Sequence, residues 1–175
     1  MGESHGEGCV VRALSLPDAE ALLFREARLL DLQDFSGWLE LYAEDVLFWM
    51  PAWREDNTLT EDPDQELSLI YYRGKDNLRD RVDRLTSGLS PVSRTLPRVV
   101  HLISNVEMVD DSEDEATVRS SFVAHAFAPR TDRVSCHFGH YEHGLRRSDG
   151  KWLISRKIVQ LANDLIPTVL DVNAI

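Results

Sequence analysis

The spacing of apolar side chains divides the chain into a helical first half and a strand-rich second half. Over residues 15–32, Leu22, Leu23, Ala27 and Leu30 recur at helical intervals, with Glu26 on the same stripe, which predicts an amphipathic helix. Pro17 is compatible with it, because a first-turn residue needs no intrahelical N–H donor. Asp34 reads as the N-cap of a short second helix whose apolar face is Phe35, Trp38, Leu39 and Tyr42, at i, i+3, i+4 and i+7. A β-rich run at 46–50 stops at Pro51. An acidic, proline-containing loop then spans 53–65, and 67–72 reads as another strand. Leu78, Val82 and Leu85 share one stripe of a third helix over 76–87, with Gly88 beyond it as a stop signal.

After that helix the period changes from 3.6 to 2. Segments 99–108, 116–128, 133–147 and 151–161 are long and β-rich, and short polar turns such as Ser148-Asp149-Gly150 separate them. This is the pattern of an antiparallel meander. Helices followed by hairpin-connected strands predict an α+β domain over 14–175, in which a curved sheet wraps around the helices. Residues 1–13 are polar, glycine-rich and aperiodic, and read as a flexible arm.

Composition narrows the function classes. At 175 residues and 43% hydrophobic, the chain can bury a core without disulfides or metal. Its 30 acidic and 19 basic side chains leave a net charge of −11, which repels polyphosphate and argues against a nucleic-acid partner. Two cysteines, Cys9 and Cys136, make no disulfide framework. The opening residues do not read as a secretory leader, and the longest apolar runs are far short of the ~20 residues that cross a bilayer. A cytoplasmic location without membrane attachment is expected.

Several residues invite a chemical reading. His137, His140 and His143 could suggest a metal, but residues three apart on a strand point to opposite faces, so they are expected not to converge. Neither cysteine has the paired Cys and His setting of a Rieske cluster. Acid/base chemistry is the more interesting alternative. A cone of helices and sheet can enclose an apolar pocket in which Asp31, Asp34, His101 or His125 would be perturbed, and Asp31 or Asp34 paired with His101 would suit dehydration or isomerisation. Against it, Asp34 is explained as a helix cap and Asp31 as an ordinary residue near a helix end. No phosphate-binding glycine loop, activated thiolate setting or Gly-x-Ser-x-Gly elbow occurs. Most tryptophans fall at core-facing positions, whereas Trp53 lies in a loop with little reason to keep an exposed indole, so it is a candidate partner-interface residue.

The stretch from Phe24 through Arg25-Glu26-Ala27-Arg28 to Asp31, then Trp38-Leu39-Glu40-Leu41-Tyr42 and Trp49-Met50-Pro51, resembles the opening of aromatic-ring-hydroxylating dioxygenase β subunits. The Arg98 to Val106 segment, with His101, Ser104 and Asn105, is similar to that family's Arg-His-x-x-Ser-Asn-Val run, with one extra residue between Arg and His. Asp149-Gly150-Lys151-Trp152 and Arg156-Lys157-Ile158 resemble its last hairpin. Met50-Pro51-Ala52-Trp53, Leu59-Thr60-Glu61-Asp62-Pro63 and 67–72 look like the benzoate, toluate and anthranilate branch, from which 83–93 departs. The resemblance implies a cystatin-like or ketosteroid-isomerase-like cone acting as a non-catalytic assembly subunit, with no cofactor of its own. It also implies a homotrimer of this chain docked on large (α) subunits as α3β3, with the Rieske iron-sulfur cluster and mononuclear iron in the large subunit. Electrons would come from NADH through a separate reductase. The rival readings are a free-standing dehydratase or isomerase of the same fold and a small-molecule carrier.

Overall fold

The computed structural model describes residues 13–87, 95–163 and 171–175. Helix α1 spans Leu16–Asp31, α2 spans Phe35–Leu39 and α3 spans Lys75–Thr86; the strands are β1 Tyr42–Pro51, β2 Ser68–Arg73, β3 Arg98–Asp111, β4 Glu115–Ala128, β5 Arg133–Ser148 and β6 Lys151–Leu161. A single 3-10 turn, Val172–Ala174, follows. The α+β expectation therefore holds, with the boundaries of α1 and α3 displaced by one residue from those predicted. The flexible arm and the Gly88 stop fall outside the described residues, apart from Ala13.

Local chemistry explains the boundaries. Ser15 caps α1 by accepting the Asp18 N–H at 3.3 Å, with Pro17 in the first turn. Asp34 caps α2 by accepting the Gly37 N–H at 3.0 Å, and a Cβ on Gly37 would lie 2.7 Å from the Asp34 carboxylate. The second helix is shorter than predicted. Tyr42 is not on its apolar face but opens β1, whose ten residues begin four positions before the predicted strand. Tyr42 is still fully buried, so both periods satisfy the same core contact and the apolar pattern could not choose between them.

The six strands form one sheet in the order β2-β1-β6-β5-β4-β3. Consecutive strands from β3 to β6 pair antiparallel, as predicted, while β1 joins β6 in parallel, which no hairpin signal could announce. The concave face packs on α1, whose buried stripe is Ala19, Leu23, Glu26, Ala27 and Leu30. Alternation along β5 sends His137, Gly139, Tyr141, His143 and Leu145 inward. The 53–67 loop is stapled by Glu66, which accepts the N–H groups of Glu61 and Asp62 and the guanidinium of Arg54. Those contacts hold its carboxyl down to about 2.

Candidate functional site

The interior between α1 and the sheet holds a polar cluster where an apolar seam would be the default. Glu26, on the buried stripe of α1, accepts from Lys157 Nζ at 2.6 Å and from the Tyr42 hydroxyl at 2.5 Å through Oε1. The Trp38 indole N–H lies 3.4 Å from the same oxygen. Its Oε2 is 3.2 Å from His143 Nε2. Lys157 sits beside His143 on the neighbouring strand, and its ammonium also lies 4.3 Å from the centre of the Tyr141 ring. Lys157 and Glu26 are both almost wholly excluded from solvent.

Electrostatics assigns the charges. Burial pushes the Glu26 carboxyl up, but the Lys157 ammonium and the His143 hydrogen bond outweigh it and hold the group well below the usual carboxylate range. Burial lowers the His143 imidazole, against the pull of Glu26, so the neutral ring donates its Nε2 proton to the carboxylate. Burial, followed by the charge on Glu26, raises both Tyr42 and Tyr141, which stay as neutral phenols. The result is a fixed Glu26–Lys157 ion pair ringed by neutral donors.

A second carboxylate–imidazole pair lies at the end of α1. Asp31 Oδ1 is 2.7 Å from His101 Nδ1 and also accepts the His101 backbone N–H at 3.1 Å, clamping the helix end to β3. Burial lowers His101, with the Asp31 hydrogen bond opposing it. The pairing of Asp31 with His101 expected under the isomerase reading is thus present. Asp34 takes no part in it and serves as the α2 cap. His125 is exposed on the outer sheet face.

Two cavities are lined by described residues. A cavity of about 420 Å³ is lined by outer-face groups including Arg119, His140 and Glu142, and one of about 520 Å³ by Gln33, Phe35, Leu85 and Arg98. Neither is lined by Asp31 or His101. Aromatic side chains pack in the interior: Phe122 stacks on Tyr141 at 4.0 Å and 4°, and Trp38 meets Tyr42 edge-on at 4.8 Å. Ile175, wholly buried, and Val172 join the same core, and His137 Nδ1 bonds to the Ala174 carbonyl at 3.1 Å.

His137 and His143 face inward while His140 faces out, the parity that the strand period predicts. Among the described residues no group of three or more His, Cys, Asp or Glu is arranged to hold a metal. Cys136 carries a free, half-buried thiol on the outer face. Trp53 is 36% exposed, and its indole donates to the Leu161 carbonyl at 2.6 Å. The sequence reading missed Lys157 and the role of Glu26. The available signal was two opposite charges at core-facing positions of an otherwise apolar helix stripe and strand.

Comparison with known proteins matches this architecture to one family. Residues 25–168 fit the model described as the ring hydroxylating beta subunit. The 2-halobenzoate 1,2-dioxygenase small subunit of Burkholderia cepacia is 41% identical over 89% of this chain and 93% of its own. The toluate 1,2-dioxygenase β subunit of Pseudomonas putida is 41% identical over 86% and 91%. Among solved structures, the benzoate 1,2-dioxygenase β subunit of Burkholderia mallei superposes with a TM-score of 0.77 at 32% identity, covering 94% of this chain and 99% of that one. The α+β fold and this similarity over about nine-tenths of both chains lead to one conclusion: the chain belongs to the ring-hydroxylating dioxygenase β-subunit family.

Proposed function

We propose that this chain is the assembly subunit of a Rieske non-haem iron dioxygenase that dihydroxylates a benzoate-type aromatic acid, and that it does no chemistry itself. The observation that carries the reading is the similarity over about nine-tenths of both chains to small subunits of halobenzoate and toluate dioxygenases. An ion-paired interior, with neither of the two cavities lined by described residues reaching Asp31 or His101, suits a scaffold. The Rieske cluster and the mononuclear iron belong, in this reading, to a large α subunit, with electrons from NADH delivered by a separate reductase. Three copies of this chain support three large subunits as α3β3 in the cytoplasm. No helix among the described residues is long and apolar enough to cross a membrane.

The reading is tested by native mass spectrometry of the chain captured with a mild tag from its own host, with iron assayed in the same sample. An iron-containing partner of at least about twice its mass, present in equal number, is the expected result. Iron-free chain that turns over a small molecule unaided would replace this reading with the isomerase, whose favouring observation is the 2.7 Å Asp31–His101 contact.

A further inference from the structure

Three imidazoles and two hydroxyls on the concave face carry polar atoms that the described residues do not engage. His101 Nε2, His137 Nε2, His143 Nδ1, the Tyr141 hydroxyl and the Ser120 hydroxyl are each buried without a partner among the described residues. All five side chains belong to residues more than nine-tenths buried. They share the inward parity of β3, β4 and β5. His101 faces Ala124, which faces His137; further along the same strands Ser120 faces Tyr141, and Val118 faces His143. Phe122 lies between these rows and stacks on Tyr141. Buried polar groups in native proteins are nearly always hydrogen-bonded, to the protein or to an ordered small molecule.

The partners of the imidazoles fix what their other nitrogens offer. His101 Nδ1 lies 2.7 Å from the Asp31 carboxylate, and His143 Nε2 lies 3.2 Å from that of Glu26. A carboxylate only accepts, so in each neutral ring the contacting nitrogen carries the proton and the opposite nitrogen presents a lone pair. His137 Nδ1 likewise donates to the Ala174 carbonyl. The strongest donors of the interior are already engaged, because the Lys157 ammonium and the Tyr42 hydroxyl both donate to Glu26 Oε1. The concave face therefore offers acceptor nitrogens beside two hydroxyls that can donate or accept.

That inventory selects the ligand. An anion would meet imidazole lone pairs and the carboxylates of Glu26 and Asp31, while Lys157, the buried cation among the described residues, is already neutralised by Glu26. A metal ion finds no group of three His, Cys, Asp or Glu among the described residues. A neutral O–H fits, since it donates to an imidazole nitrogen and accepts from Tyr141 or Ser120. We propose that the concave face, at His101 Nε2, His143 Nδ1, Tyr141 and Ser120, binds small neutral hydroxyl compounds, either ordered water or a phenol, and rejects carboxylates. Burial and the charges of Glu26 and Asp31 raise Tyr141, which keeps its proton available for donation. A phenol would add ring contact with the Phe122–Tyr141 stack.

The test combines a crystal structure of the full chain that resolves ordered solvent, grown with and without phenol, with two variants. Oxygen density within hydrogen-bond distance of His101 Nε2 and His143 Nδ1 is the expected result. Tyr141→Phe and Ser120→Ala each delete one hydroxyl that has no partner among the described residues. In a dry interior such a deletion removes an unsatisfied group and raises the urea midpoint; with a bound oxygen it removes a hydrogen bond and lowers the midpoint. Calorimetric titration separates the two sources. Saturable phenol binding that Tyr141→Phe weakens about tenfold identifies a phenol site, the loss of one hydrogen bond. Ordered oxygen without phenol binding identifies water.

The proposal is overturned if neither imidazole nitrogen has density beside it, or if both variants match or exceed the native urea midpoint. Saturable benzoate binding that Tyr141→Phe weakens overturns it too, since the face would then accept the anion that its lone pairs and carboxylates are argued to repel.

Discussion

The cone interior and the outer face at its apolar end invert the usual distribution of polarity. Inside, Glu26, Lys157 and two neutral imidazoles are sealed from bulk water; outside, Val100, Leu102 and Val134 are more than half exposed. The Glu26 carboxylate is satisfied within the chain by direct contacts of 2.5 to 3.2 Å. The outer band has no counterpart among the described elements. The contrast separates two uses of free energy. A buried ion pair does little for net stability because desolvation offsets its Coulombic gain, but it tolerates only the arrangement in which both charges meet. An exposed apolar band does nothing for the monomer and becomes favourable once a partner covers it.

The comparison can be broken most severely from within. Lys157→Met leaves the Glu26 carboxylate buried without its cation and is expected to cost about 3–5 kcal/mol, read as a fall in the denaturant midpoint. The double variant with Glu26→Gln recovers part of that loss. If the single variant is as stable as the native chain, the ion pair does not hold α1 to β6.

Acid is the next lever. His101 and His143 have folded-state pKa values below the usual histidine range, so below pH ~6.5 the unfolded chain binds protons that the native chain refuses. Stability is fully present above that pH and falls as pH drops from 7 toward 5, by at most about 1.4 kcal/mol per pH unit for each histidine. Glu26, whose folded pKa is depressed, contributes stability above pH ~4.5 that is lost only at still lower pH. Urea titrations at several pH values measure the slope, and replacing His143 by Gln should flatten it. A stability that rises on acidification to pH 5 would contradict the neutral assignment.

Asp31→Asn tests the second carboxylate. Asn can still accept the His101 N–H, so the expected cost is about 1 kcal/mol, that of exchanging a charge-assisted hydrogen bond for a neutral one. The smallest expected effect lies on the outer band. Phe138→Ala, at a 45% exposed side chain, should change stability in a urea titration by no more than about 0.5 kcal/mol, which sharpens the distinction between inner and outer regions.

The sequence by itself determined most elements of this protein. Periods of 3.6 and 2, with the cap at Asp34, located α1, α3, the start of α2 and the four-strand meander, because helix stripes and strand alternation are local properties. It also set the parity that turns His137 and His143 inward and His140 outward. The quoted motifs carried the family. The boundary at Tyr42 escaped because one buried aromatic fits either period. Tertiary structure alone decided the parallel joining of β1 to β6, the meeting of Glu26 with Lys157 across 131 positions, and the pairing of Asp31 with His101 across 70. Which charges become neighbours depends on how the sheet curves over α1, and no spacing rule reaches that far along a chain.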